Sequence, residues 1–250
     1  LNPAARQDTC FRPGDVLRVS CPDAPARVAG IGRDHICLEW PWWQVDPACD
    51  WIRWNGQVAL PLRNEPGDRE TSLFRTDPPT DRLTAGDTCR VGIPSTVVHV
   101  ARVDRFDPPL ETGRLPRPHL SLTLLRAGEA HHPELEEQGE EFVPEDDIPF
   151  VLELLLRPYA FLEPGDEVSD AAGRAWRFDG PWAWEPFDGA EPHTPVWPLT
   201  LLTREGSPLD PDAPDPVARA TATGSHASEA TRWQALTGVS PHSAGHGEGP

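Results

Sequence analysis

Three groups of residues in this 250-residue chain have types and spacings that invite chemistry. Nine of the ten tryptophans fall in two groups: Trp40, Trp42, Trp43, Trp51 and Trp54, then Trp176, Trp182, Trp184 and Trp197. Asp46 and Asp50 flank the first group, and Asp179, Glu185 and Asp188 the second, the layout of paired carboxylates beside sugar-stacking rings in a glycosidase. With 40 acidic residues such neighbours are unavoidable, and small β units offer no deep cleft in which a carboxyl group is desolvated into an acid. No catalytic residue is assigned. His131, His132, Glu134 and Glu136, and separately His242 and His246, carry metal-ligand atoms, but a metal centre needs ligands fixed by a fold and both stretches have the composition of unfolded chain. No metal or cofactor is assigned. His35, His99 and His119 sit singly among apolar neighbours, as ordinary core or surface imidazoles do. The five cysteines, Cys10, Cys21, Cys37, Cys49 and Cys89, contain no closely spaced pair of the zinc-ribbon or redox type and read as free thiols. Nucleophile elbow, phosphate loop, dinucleotide fingerprint and zinc-protease helix are all missing from the sequence.

What is left to the tryptophans is binding. In extended chain Trp40 and Trp42 share one face and Trp43 points to the other. A small barrel cannot bury five indoles, so the surplus packs between units or forms an exposed aromatic surface. The expected binding set is Trp42, Trp43, Trp51, Trp54, Trp182 and Trp184, with Arg53 and Arg177 at the rim. Trp54 and Trp184 adjoin the turn-forming stretches Asn55-Gly56 and Glu185-Pro186, and are expected to be the most exposed. A coplanar row of rings would suit the faces of a sugar, whereas a rounded patch with arginine at its rim would suit a protein.

Charge narrows the partner. The formal net charge is -18, and all 22 basic residues are arginine, since the chain contains no Lys. A chain so acidic, without a local basic patch, is not built for nucleic acid, polyphosphate or an anionic membrane; the expected partner is a basic protein. Residues 1 to 128 are neutral, with 16 acidic and 16 Arg side chains, so the acidity belongs to residues 129 to 250. Arg-only basicity with 31 Pro reads as the codon bias of a high-GC bacterial genome. No 18-residue apolar window is present, and Leu1 to Cys10 has neither the cationic start nor the apolar stretch of a secretion signal, so the expected location is cytoplasmic.

The elements that must position these residues are short and β-like. Three segments open alike: Phe11-Arg12-Pro13-Gly14-Asp15, Leu83-Thr84-Ala85-Gly86-Asp87 and Leu162-Glu163-Pro164-Gly165-Asp166. This is turn chemistry, in which Pro presets φ, Gly takes the positive φ, and Asp bonds nearby backbone. Two segments close alike, Leu122-Thr123-Leu124-Leu125-Arg126 and Leu199-Thr200-Leu201-Leu202 with Arg204; Val58 to Arg63 is the looser counterpart in the first copy. Val16 to Val19, Val28 to Ile31, Val97 to Val103 and Trp176 to Phe178 read as strands. Asp146 to Arg157 admits a helix, although Val151 to Leu156 equally fits a buried strand. Units of this size resemble small Src-homology-type barrels over residues 9 to 206, a resemblance of pattern that brings no family's binding residues with it.

The expected fold is therefore mainly β: three tandem small Src-homology-type β-barrel-like units, with an acidic linker and a disordered C-terminal tail. The units span 9–67, 81–128 and 148–206. The linker, 129–147, holds nine mutually repelling carboxylates, and the tail, 207–250, has Trp233 as its only aromatic residue. The expected function is that of a non-enzymatic binding or adaptor protein. A carbohydrate-binding module using the same tryptophans is the alternative, and an enzyme of unrecognised type the third reading.

Overall fold

The computed structural model describes residues 11–46, 56–62, 72–132, 135, 138–144, 147–191, 193–208, 215–222 and 224–240. Strand makes up 44% of the described residues and helix 11%, so the fold is mainly β, built of curled antiparallel sheets and a half-barrel. The contacts give two compact units. One comprises Leu17–Arg126 and Leu135–Leu154, the other the described residues of Leu1–Val16, Ala127–Glu134 and Leu155–Pro250.

In the first unit the strands are β1 (Val16–Ile31), β2 (His35–Glu39), β3 (Gln44–Val45), β4 (Gln57–Pro61), β5 (Arg75–Asp77), β6 (Thr88–Arg105), β7 (Arg114–Leu115), β8 (Leu120–Arg126), β9 (Glu140–Phe142) and β10 (Val151–Leu156). Eight of them form one sheet in the order β4-β2-β1-β6-β8-β9, with β10 paired to β1 and β5 to β6; β3 and β7 form a separate two-stranded ribbon. The segments expected as a first and a second barrel are thus joined in a single sheet through β1 and β6. Both strands are about three times the usual length and serve different neighbours along their course. The first part of β6 pairs with β5 at Arg90 to Gly92, and the later part with β8 from Val98 to Arg105. Register shifts between Val100 and Arg102, and between Val28 and Gly30 of β1, supply the bends such strands need. Gly92 lets the two backbones meet, because a Cβ there would lie 2.9 Å from the Cys21 carbonyl oxygen and 3.0 Å from the Asp23 Cα.

The second unit carries β11 (Glu167–Ser169), β12 (Ala175–Gly180), β13 (Ala183–Pro186), β14 (Thr200–Arg204) and β15 (Ser207–Pro208), ordered β13-β12-β11-β14-β15, followed by α1 (Pro216–Ala222) and α2 (Glu229–Thr237). Its core is fixed by alternation along β12, where Trp176 and Phe178 are buried and Arg177 and Asp179 exposed. Asp170 anchors the loop before β12. It accepts the main-chain N–H groups of Ala172, Arg174 and Val196 and the indole N–H of Trp176. Burial opposes ionisation of this carboxyl, but the four donors outweigh it and hold the pKa below the ordinary value.

The three opening motifs fold as the same turn. Gly14, Gly86 and Gly165 take φ of 86°, 94° and 92°. In each, the Asp N–H donates to the carbonyl three residues back, at 3.1, 3.1 and 2.9 Å. The Asp carboxylate accepts the N–H of that same residue: Arg12 at 3.0 Å, Thr84 at 2.8 Å and Glu163 at 2.9 Å. In two copies the carboxylate is buried and gripped on both oxygens by an arginine. Arg204, ending β14, holds Asp166 at 3.0 and 2.6 Å, and Arg157, just beyond β10, holds Asp15 at 2.8 and 2.7 Å. The closing strand of the first copy is therefore β10 with Arg157. The expected counterpart, Val58 to Arg63, instead contributes β4, which pairs with β2, and Arg63 lies outside the described residues.

Two composition-based expectations are corrected over the described residues. The acidic stretch contributes β9, with Phe142 buried against Phe150 at 3.8 Å, while the Glu140 carboxylate accepts the Ser72 hydroxyl at 3.1 Å and the Leu73 N–H. Within the stretch expected as disordered tail, α1 and α2 pack on the second unit. Val217 and Trp233 are buried, the Trp233 indole donates to the Gly14 carbonyl at 3.0 Å, and Asp215 caps α1 through the Val217 and Ala218 N–H groups. Few apolar residues suffice when a segment docks on a core built elsewhere. The stretch admitting a helix or a buried strand is strand β10, and it is not fully buried, since Val151 and Leu154 are exposed.

Asp166→Ala should cost about 3 kcal/mol, since it strands a part-buried guanidinium; this lowers the thermal midpoint by roughly 6 to 12 °C. Asp87→Ala, at the same turn position but in solvent without an arginine, should leave the midpoint nearly unchanged. Equal losses would refute the distinction between the copies. Glu140 makes a second prediction. Its pKa is raised chiefly by burial, against the Leu73 and Ser72 hydrogen bonds and the nearby Arg126 and Arg75 charges. A raised carboxyl pKa stabilises the fold below the ordinary glutamate value, and that contribution is lost as pH rises through the folded pKa. In urea titrations at several pH values, the stability of Glu140→Gln minus that of wild type should therefore increase with pH.

Candidate functional site

The first aromatic group gathers at the start of the β3–β7 ribbon. Trp40 is buried, with its ring centroid 4.9 Å from Trp42 at 79°, 5.5 Å from Trp43 at 51°, and 4.9 Å from Phe74 at 78°. The contacts with Trp42 and Phe74 are edge-to-face, an arrangement the ring quadrupole favours in a packed core, and that with Trp43 is tilted. Trp42 and Trp43 are half-buried. Register brings Val45 of β3 opposite Arg114 of β7, and the Arg114 guanidinium lies 3.7 Å from the Trp43 ring centroid, a cation–π stack. Beside it the buried Asp46 carboxylate receives Arg117 at 2.6 Å, and Arg117 also reaches Glu111 at 3.1 Å. Leu110 and Leu115, before and within β7, are exposed. The site combines half-buried indoles and a ring-held arginine, residue types enriched in protein-binding hot spots.

The second aromatic group is core. Tyr159 sits among Trp182 at 5.4 Å, Trp197 at 5.4 Å, Trp184 at 6.4 Å and Phe178 at 6.4 Å. Its phenol is pushed up to about 12 by burial, assisted by the Glu229 charge. Trp184 and Trp197 meet at 89°, and Trp182 and Trp233 at 65°. Trp197 stacks on His226 at 4.0 Å and 16°, and burial holds the His226 pKa below its ordinary value, so the ring favours its neutral form.

Of the expected binding residues, Trp42 and Trp43 are both half-buried against Trp40. Trp51, Trp54 and Arg53 lie outside the described residues. Trp182 is half-buried and Trp184 is buried, contrary to its expected exposure: it faces inward on β13 two residues before Pro186, so the adjoining turn signal did not report its side. Arg177 is exposed but committed, with Asp179 at 2.8 Å and Glu185 as partners. Sequence reasoning missed Arg114, Phe74 and Tyr159. The signal for Arg114 is its place in Gly113-Arg114-Leu115, a turn and short strand with no carboxylate adjoining the arginine. Among the described residues no cluster of three His, Cys, Asp or Glu side chains could hold a metal ion, and no described helix is long and apolar enough to cross a membrane.

Compared with protein-family models, with curated proteins and with solved structures, the chain matches none.

Trp184→Ala should destabilise the second unit by about 3–5 kcal/mol, as removal of a buried indole does, whereas Trp42→Ala should cost far less. Thermal unfolding followed by near-UV circular dichroism compares the two, and a harmless Trp184→Ala would place that ring outside the core.

Proposed function

We propose that this chain is a non-enzymatic binding or adaptor protein that recognises a protein partner through the surface of Trp42, Trp43 and Arg114. The observation that carries this reading is the disposition of the rings. Trp42 and Trp43 both pack against the buried Trp40, and one face of Trp43 is covered by a guanidinium. A sugar-stacking platform needs open ring faces, and one face of Trp43 is taken by Arg114, so the geometry favours the protein reading over the carbohydrate alternative. A patch of indole and arginine suits the desolvated centre of a protein interface.

The net charge of -18 favours a partner that is basic overall, because a field of this sign raises the encounter rate with positive proteins. The exposed side chains of the second unit add to that field, with Arg177 outnumbered by Asp179 and Glu185.

The test is binding kinetics against the partner recovered from the native host. Raising ionic strength from about 0.05 to 0.5 M should slow association much more than it speeds dissociation, and Trp43→Ala should speed dissociation without slowing association. Retained binding by the doubly substituted Trp42→Ala, Trp43→Ala protein would move the interface elsewhere. Selective retention on a glycan array would restore the carbohydrate reading.

A further inference from the structure

Most arginines of the described chain for which a contact is seen are spent on the chain's own acceptors. Arg157 and Arg204 grip buried aspartates, Arg117 holds Asp46 and Glu111, Arg174 holds Asp188, and Arg177 holds Asp179 and Glu185. Arg114 differs. Its guanidinium lies over Trp43, and among the described residues no carboxylate or carbonyl engages it. Contact with the ring restricts the guanidinium without using its N–H donors, so part of the entropy of ordering the side chain is already spent. A carboxylate meeting those donors forms two parallel charge-assisted hydrogen bonds with less new ordering of the arginine.

Resting on the binding surface proposed above, we propose that Arg114 is the receiving group for a carboxylate side chain of the partner protein, with the Trp43 indole that holds it taking an apolar side chain beside it. The contact chemistry is complementary to the guanidinium, while the sign of the partner as a whole is set by the distant field. A protein that is basic overall and presents one acidic residue next to an apolar one satisfies both.

The probe is the blocked peptide Ac-Leu-Glu-Phe-Glu-Leu-NH2 together with its counterpart in which both Glu are Gln, each titrated into the full chain by calorimetry and by 15N NMR of the arginine side-chain Nε–H groups. The Glu peptide should bind about tenfold or more tightly than the Gln peptide, the ratio expected when a bidentate charge-assisted pair is lost, and it should shift the Arg114 Nε–H resonance. Arg114→Gln should abolish the preference while keeping the thermal midpoint of the wild type, and Arg177→Gln should keep the preference. Equal affinity for the two peptides overturns the carboxylate assignment; if that equal binding is lost in Trp43→Ala, the binding surface itself survives. No binding of either peptide, or an undiminished preference in Arg114→Gln, also overturns the assignment. An Arg114→Gln protein with a lowered midpoint is replaced by Arg114→Lys, which keeps the charge but loses the planar fork, and a full preference in that variant counts against the bidentate contact.

Discussion

A carboxylate held in a tight turn and gripped on both oxygens by an arginine from the end of a distant strand is the interaction on which this fold depends. Asp15 and Asp166 are each about 1% exposed at the side chain, and each would be a buried charge without its arginine. Desolvating such an ion costs several kcal/mol, recovered only in good geometry with the remaining lone pairs satisfied. Both conditions are met, since the turn supplies a main-chain N–H to the same carboxylate. The pair is therefore less a source of net stability than a constraint on topology: only one strand end brings a guanidinium to the right place, and any other closure leaves the charge unpaired.

The two buried copies close loops of very different length. Asp166 and Arg204 are 38 residues apart, whereas Asp15 and Arg157 are separated by 142, with most of the first unit's sequence lying between them. Closing a loop grows costlier only as the logarithm of its length, so a large insertion between the halves of such a pair is tolerated. The second copy shows the same turn released from that role. Asp87 is exposed and satisfied locally by the Thr84 N–H and hydroxyl, which hold its pKa below the ordinary value. The corresponding arginine, Arg126, lies near Glu140.

These differences explain which parts of the molecule were legible in the sequence. The turns were, because Gly-Asp after Pro or Ala encodes a backbone conformation locally, as were β12 and the mainly-β class, through alternation. The partner of Asp15 was not: Leu154-Leu155-Leu156-Arg157 carries the same ending as the other closing strands but stands far outside the spacing that a tandem repeat implies. The division into three units is not confirmed for a related reason, since β1 and β6 look like the first strands of separate barrels and are joined in one sheet by pairing with each other. The tail was misread because composition counts a segment's own apolar residues, and Trp233 and Val217 are buried by surfaces other segments provide. At the candidate site, Trp42 and Trp43 were legible by residue type, but the role of Arg114 was not, because nothing in its local sequence names the distant Trp43 that it covers.

With arginine as its only basic residue besides histidine, the chain has one kind of cation for every task, and the guanidinium's geometry decides how each is used. Where it meets a carboxylate inside a turn it becomes structural, and its charge is cancelled at short range. Where it lies beside surface carboxylates, as Arg177 does between Asp179 and Glu185, it is outnumbered and the local field stays negative. On an indole face it is held without being neutralised, because the ring quadrupole attracts the cation but offers no oxygen to its donors. Arg114 over Trp43 is in this third condition, so a positive charge is kept at a fixed place in a chain whose net charge is strongly negative. Long-range attraction and contact selectivity can then have opposite signs in the same molecule, since the first sums over all charges within a Debye length while the second is set by the few groups that lose water on binding.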